Sequence, residues 1–165
     1  MSKTRWSPAY IGLGSNLQGP AKQVESALDE LRNIPETRVI ARSSLYRSSP
    51  LGGIEQPDFV NAAAAVLTTL GPRDLLRNLK QIERRRGRER NGQRWGPRVI
   101  DLDLLVFSRA VLSEAGLSIP HPGIAERNFV LLPLREIAPD LVIPGLGRVA
   151  SLAINEAEPA IDRIA

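Results

Sequence analysis

The sequence predicts an α+β fold, a ferredoxin-like sandwich in which helices flank a mainly antiparallel sheet. Three observations predict it. Two stretches, residues 24–31 and 75–82, carry apolar residues at helical spacing. Extended segments rich in branched residues stand before, between and after them, in the order β-α-β-β-α-β. A hairpin and a terminal helix then follow the last of these strands.

Taken in order, residues 9–14 read AYIGLG, a short apolar strand running into a turn at Ser15 and Asn16. The glycines match no standard nucleotide loop. The dinucleotide pattern GxGxxG needs glycine at Leu17, and the P-loop spacing from Gly14 to Gly19 ends in Pro20 and Ala21. These glycines are read as points of turning or of close backbone approach. Pro20 suits the first turn of a helix whose stripe is Val24, Ala27, Leu28 and Leu31, ending near residues 33–35. Residues 37–46 alternate weakly and predict a strand, and 48–57, SSPLGGIEQP, a loop.

Residues 59–70 predict a further strand, with Phe59 and Asn61 on one face. Its alanines at 62–65 suit a helix equally well on propensity; strand is preferred because Gly71 and Pro72 open a helix at once. That helix carries Leu75, Leu76, Leu79 and Ile82, with Gly87 as its C-terminal cap. Residues 88–97, RERNGQRWGP, predict a long polar loop before a strand at 99–107. Residues 111–112 and 117–119 predict the hairpin, 120–123 a turn, and Pro133 the first turn of a last helix running to about Ile137. From Pro144 onward no pattern predicts an element. With no repeat, linker or low-complexity run, one domain is expected over residues 1–165.

Composition narrows the chemistry. The chain has 165 residues, 42% hydrophobic and 24% charged, enough for a real core. Cysteine is absent and histidine occurs once, which removes thiolate chemistry and histidine-rich metal sites. No apolar run reaches membrane-spanning length and no signal peptide is evident, so a cytoplasmic protein with no membrane partner is expected. The net charge of +4 is local. Residues 80–98 hold eight cations against Glu83 and Glu89, a net of +6, which leaves −2 for the remainder. A patch of this kind implies an anionic partner.

The strand at 99–107 sits directly after that patch. Ile100, Leu102, Leu104 and Val106 alternate with Asp101 and Asp103, which therefore share the opposite face, roughly 7 Å apart. Paired acids of this kind are most often a solvated edge or partners for arginines. Beside a cation-rich loop they also form what magnesium and polyphosphate require.

Four blocks decide between these readings: GSNLQGP at 14–20, SSPLGGIEQPDFVNAA at 48–63, RWGPRVIDLDLLVF at 94–107 and IPHPGIAERNFVLLPL at 119–134. Together they resemble the folate-pathway pyrophosphokinases that act on 6-hydroxymethyl-7,8-dihydropterin. The likeness spans roughly residues 9–142, and no fused pathway domain fits in the remaining length. The resemblance implies transfer of the β,γ-pyrophosphoryl group of ATP to the pterin hydroxymethyl oxygen, with release of AMP. Asp101 and Asp103 match the acids that hold two magnesium ions, and Arg88 and Arg98 match the catalytic arginines, suited to phosphate by their planar donors. No residue stands out as general base; Asp103 is the nearest.

For the pterin, Phe59 and Phe129 match the two stacking faces, Asn61 the residue at its polar edge, and Ser48 and Leu51 contributors of backbone. Phe59 replaces the family's common tyrosine, losing a hydroxyl and keeping the stack. For ATP, Lys80, Glu83, Trp95, Leu104, Ser118 and His121 match nucleotide-contacting positions. Gly116 and Pro122 stand where some relatives have arginine and tyrosine, which removes peripheral contacts. The partners expected are these small molecules alone, with no nucleic acid, and the chain is expected to be a monomer. Two rivals remain: a single-strand nucleic-acid module using the arginines with Trp95, Phe59 and Phe129, and a nucleotidyl transferase, which would release pyrophosphate rather than AMP.

Overall fold

The computed structural model describes residues 5–50, 55–87 and 99–164. The chain runs β1 (Ser7–Ser15), α1 (Pro20–Glu30), β2 (Thr37–Arg42), β3 (Tyr46–Ser48), β4 (Phe59–Thr68), α2 (Pro72–Arg85) and β5 (Asp101–Phe107). A hairpin of β6 (Leu112–Glu114) and β7 (Leu117–Ile119) follows, then α3 (Asn128–Ile137). A second small hairpin, β8 (Val142–Ile143) and β9 (Gly147–Arg148), precedes β10 (Ile161–Arg163). The main sheet has the order β10-β3-β4-β1-β5, with β2 also paired to β4, and every pairing is antiparallel. This is the α+β, ferredoxin-like arrangement the element order predicts, helices packed on an antiparallel sheet.

The two faces of the sheet are distinct. On one, Ala9, Ile11, Leu13, Ala62, Ala64, Leu102 and Leu104 meet the predicted stripes of α1 and α2. On the other, Leu105 and Val106 meet Val130, Leu131 and Leu134 of α3; Val106 leaves the expected alternation because the pairing with β1 shifts register between Tyr10 and Ile11. Strand β4 is covered on both faces and paired on both sides, so small side chains suffice there and the alanine run is strand. Gly87 closes α2 with φ +79°, a conformation that L side chains resist, while its N–H donates to the Arg84 carbonyl at 3.1 Å.

Three features depart from expectation. The strand expected over 37–46 divides at Ser43, whose N–H donates to the Ala63 carbonyl at 2.8 Å while its Oγ accepts from the Ala63 N–H at 2.8 Å. A side chain there takes the place of a backbone acceptor, and the ladder resumes in β3, which claims Ser48 from the expected loop. The last helix begins at Asn128, so Pro133 lies inside it rather than in its first turn. Losing one helical hydrogen bond costs about 3 kcal/mol. Burying Val130, Leu131, Leu132 and Leu134 outweighs it, at roughly 1.5–3 kcal/mol each. The tail is not featureless: β10 extends the main sheet beside β3, with Ile161 opposite Ser48.

Glu136 fastens α3 to that edge. It accepts from the Tyr46 hydroxyl at 2.7 Å, the Ser44 N–H at 3.0 Å and the Ser44 hydroxyl at 3.1 Å. Burial raises the Glu136 pKa, but the bonds from Tyr46 and Ser44 and the charge of Arg163 outweigh it, leaving it below the usual 4.5. Burial and the bond to Glu136 push Tyr46 up to about 12. A lowered acid favours folding above its unfolded pKa and loses that contribution as pH falls through the folded value. Glu136→Gln should therefore be less stable than the unaltered chain at pH 7. Urea midpoints measured down to pH 3 should converge below about 4.5; a constant gap would contradict the assignment.

Candidate active site

The register of the sheet assembles the site. Opposed residues of antiparallel strands share a face. Gly14 stands between Asp101 of β5 and Asn61 of β4, and Asn61 in turn faces Tyr46 of β3. The next row sets Asp103 beside Gly12 and Ala63. On the other side of Asn61, Phe59 faces Ser48. Asp101, Asp103, Asn61, Phe59 and Ser48 thus all lie on the face that α3 covers. Between Asp101 and Asn61 the floor is bare because Gly14 has no side chain, whereas the Leu105 side chain covers Gly12. A Cβ at Gly14 would stand 3.3 Å from Asn61 Oδ1, and one at Gly12 3.3 Å from Leu105.

The residues expected to meet the pterin lie together. Asn61 and Ser48 are buried, and Asn61 Nδ2 donates to Ser48 Oγ at 2.7 Å, which fixes the amide's orientation. Phe59, first residue of β4, is half-buried. Phe129 lies in the first turn of α3, packed beside Tyr46, Leu132 and Ile161, with the Arg127 guanidinium 5.9 Å from its ring centroid.

Two supporting residues escaped the sequence reading. Asn128 is buried next to Phe129 and donates to the carbonyls of Asn155 and Pro159, both at 2.7 Å, tying the tail to α3. Asn16 is buried after β1 and donates to Gln56 Oε1 at 2.8 Å and the Pro57 carbonyl at 3.0 Å, anchoring the chain just before Phe59. A lone asparagine in a turn carries no signal of such long-range bonds.

The nucleotide candidates collect along the outer edge of β5. Its other side pairs with β1, so backbone groups on the outer side need partners elsewhere. Leu102 N–H donates to Glu83 Oε2 at 2.7 Å, and Leu105 C=O accepts from His121 N–H at 2.8 Å. Glu83, on α2, is only 1% exposed and sits 3.3 Å from the half-exposed Lys80 ammonium. Leu104 buries its side chain in the core. Ser118 is exposed on β7, while its neighbours Leu117 and Ile119 are buried. Leu51, Arg88, Trp95 and Arg98 lie outside the described residues.

Asp101 and Asp103 are half-buried on β5. Among the described residues no three His, Cys, Asp or Glu side chains gather as a metal cluster. Two hard oxygen donors are nevertheless a fitting set for magnesium, which takes one or two carboxylates and completes its shell with phosphate oxygens and water. His121 accepts from the Gly123 N–H at 3.2 Å through Nδ1, so its neutral ring carries the proton on Nε2. Burial, then the positive charges of Arg127 and Lys80, hold its pKa below the ordinary 6.5.

Residues 10–139 match the family described as 7,8-dihydro-6-hydroxymethylpterin-pyrophosphokinase (HPPK). A Pseudomonas aeruginosa protein, 2-amino-4-hydroxy-6-hydroxymethyldihydropteridine pyrophosphokinase, is 50% identical over 135 residues, 82% of this chain and 83% of its own. The Haemophilus influenzae protein of the same name is 46% identical over 136 residues, 82% of this chain and 84% of its own. Among solved structures, Plasmodium falciparum HPPK-DHPS with pterin and p-hydroxybenzoate superposes with a TM-score of 0.74 at 17% identity. It covers 99% of this chain, which spans 46% of that longer one, and the likeness speaks to the fold.

Because the chain has a single histidine, its titration can be read without assignment. The proton NMR midpoint of His121 should fall below 6.5. The unfolded chain takes up this proton first, so the histidine's contribution to stability should decline as pH falls below 6.5. Added inorganic triphosphate should raise the midpoint by supplying negative charge to the edge of β5. A free-protein midpoint at or above 6.5 would refute the described environment.

Proposed function

The chain belongs to the 7,8-dihydro-6-hydroxymethylpterin-pyrophosphokinase family, whose reaction serves folate biosynthesis, and we propose how its residues divide that work. The reading is transfer of pyrophosphate from ATP to the hydroxymethyl group of the dihydropterin. The hydroxymethyl oxygen attacks the β-phosphorus and releases its proton to solvent, the bond to the α,β-bridging oxygen breaks, and AMP leaves. One observation carries it: Asp101, Gly14 and Asn61 form a single row across the sheet. That row sets an acid pair suited to polyphosphate beside a pocket suited to a flat heterocycle with a polar edge.

In this reading Phe59 and Phe129 stack on the pterin, while Asn61, held by Ser48, bonds its edge. Leu51 contributes backbone. Asp101 and Asp103 would hold two magnesium ions, whose chemistry here is neutralisation of the triphosphate. Lys80 and the Nε2–H of His121 serve the nucleotide from the free edge of β5, with Leu104 backbone, Ser118 and Trp95. Arg88 and Arg98 meet the charge that develops on the transferred group, where positioning and electrostatics carry the catalysis. The protein is proposed to act as a cytoplasmic monomer on small molecules. Its lack of cysteine suits a reducing compartment, and among the described residues no helix is long and apolar enough to cross a membrane.

Incubation with ATP, magnesium and the hydroxymethyl dihydropterin should yield AMP. Asp101→Asn and Asp103→Asn should stay folded and lose turnover by orders of magnitude. Arg88→Ala and Arg98→Ala should chiefly lower kcat. Arg85→Ala should change little, since that side chain is 56% exposed and only 3.9 Å from Glu30 in a surface pair. Pyrophosphate in place of AMP would establish nucleotidyl transfer instead, and equal damage from all three arginine variants would favour diffuse polyanion binding.

A further inference from the structure

The Leu102 amide lies between the two acids on β5, and its partner is a carboxylate rather than another strand. Glu83 Oε2 accepts this N–H at 2.7 Å, a charge-assisted bond to a group only 1% exposed. Glu83 Oε1 lies 3.3 Å from the Lys80 ammonium. The residue matched to a nucleotide-contacting position therefore directs both carboxylate oxygens at the protein. Leu102 itself is fully buried under α2, so its peptide is held from the side chain and from the amide at once. A rotation of that peptide would turn Asp101 and Asp103 relative to one another, because successive side chains are set by the backbone between them. An edge strand left to water would allow such rotation.

We propose that Glu83 is a positioning residue that fixes the mutual orientation of Asp101 and Asp103 by clamping the amide between them. The inference rests on the reading of those two acids as the metal-holding pair. A clamp and a directly acting charge predict opposite outcomes for two conservative changes. Glu83→Gln removes the charge but keeps an acceptor at the right reach. Glu83→Asp keeps the charge but withdraws it by one methylene from the amide.

The experiment uses the full chain with manganese as a probe cation. The readout is the manganese concentration at half-maximal binding of a non-hydrolysable ATP analogue. Pterin affinity without metal and exchange of the Leu102 amide with solvent are measured alongside. Glu83→Asp should raise the manganese midpoint by about tenfold or more, the effect usual for partners that orient ligands. Its Leu102 amide should exchange faster, and its pterin affinity should be unchanged. Glu83→Gln should keep a midpoint and an exchange rate close to those of the unaltered chain.

The reverse pattern, with Gln severe and Asp mild, would overturn the proposal in favour of a direct charge on metal or nucleotide. So would a weakened analogue affinity at saturating manganese with no shift in midpoint. If Glu83→Asp fails to fold, Glu83→Ala takes its place: a raised midpoint with faster Leu102 exchange beside a preserved Gln variant supports the clamp, and an unchanged midpoint defeats it. Asp101→Asn is the control. A shifted midpoint there, with neither Glu83 variant affected, sinks the clamp and leaves the metal reading standing. No shift in Asp101→Asn brings down the metal reading and the clamp together.

Discussion

The register of β1 between β4 and β5 is the constraint on which the site depends. Side chains on a strand alternate with a period of two, so a slip of one residue exchanges the faces. On β5 it would turn Asp101 and Asp103 into the apolar layer under α1 and α2 and bring Leu102 and Leu104 to the surface. The burial of those leucines against two helices therefore does more than stabilise the sheet. It also turns the two acids onto the opposite face, the one that α3 covers. Gly12 and Gly14 complete the arrangement by withholding side chains from the rows that the acids and Asn61 share.

The two sides of the site are built by different means. The proposed pterin wall is a face of the sheet roofed by the first turn of α3, made of residues whose neighbours are cross-strand partners. The proposed nucleotide side is the outer edge of β5, where Glu83 and His121 take up backbone groups that no strand among the described residues pairs. An edge left open in this way is normally a liability. Here it is satisfied by one side chain and one loop amide, which leaves the intervening backbone for recognition. Asp101 and Asp103 lie where face and edge meet, between the two substrates of the proposed reaction.

Much of this was legible in the sequence, because the signals were local. The helices α1 and α2 show their stripes in consecutive turns, and the alternation around Asp101 and Asp103 assigns the acids to one face directly. The four motif blocks carried the family, and the family in turn named Asn61 and the two phenylalanines, Phe59 and Phe129, which local physics alone assigns to a core. What escaped depends on partners far along the chain. Strand β10 has three residues and one buried apolar side chain, too little for a periodic signal; it exists because β3 offers it an edge. Pro133 misled because a proline inside a helix is disfavoured unless buried apolar contacts outweigh it. Glu83 was matched to a nucleotide-contacting position, and nothing in its neighbours revealed that an amide on β5 had claimed it.

The pairing of β10 with β3 also bears on how the fold is reached. Ile161 meets Ser48 across more than half the chain, so this contact closes one of the longest loops in the molecule. Contacts of that separation form late, because the entropy of closure must be met before the pairing returns anything. Until then β3 is itself an outer strand, with Ser48 and the wall beneath Phe59 uncovered. The interval between collapse of the β1–β4–β5 centre and docking of the tail is thus when the chain is most open to pairing with another copy of itself. Crowded refolding would expose that weakness at the β3 edge of the sheet, while the acid-bearing strand, already packed on α2, would be spared.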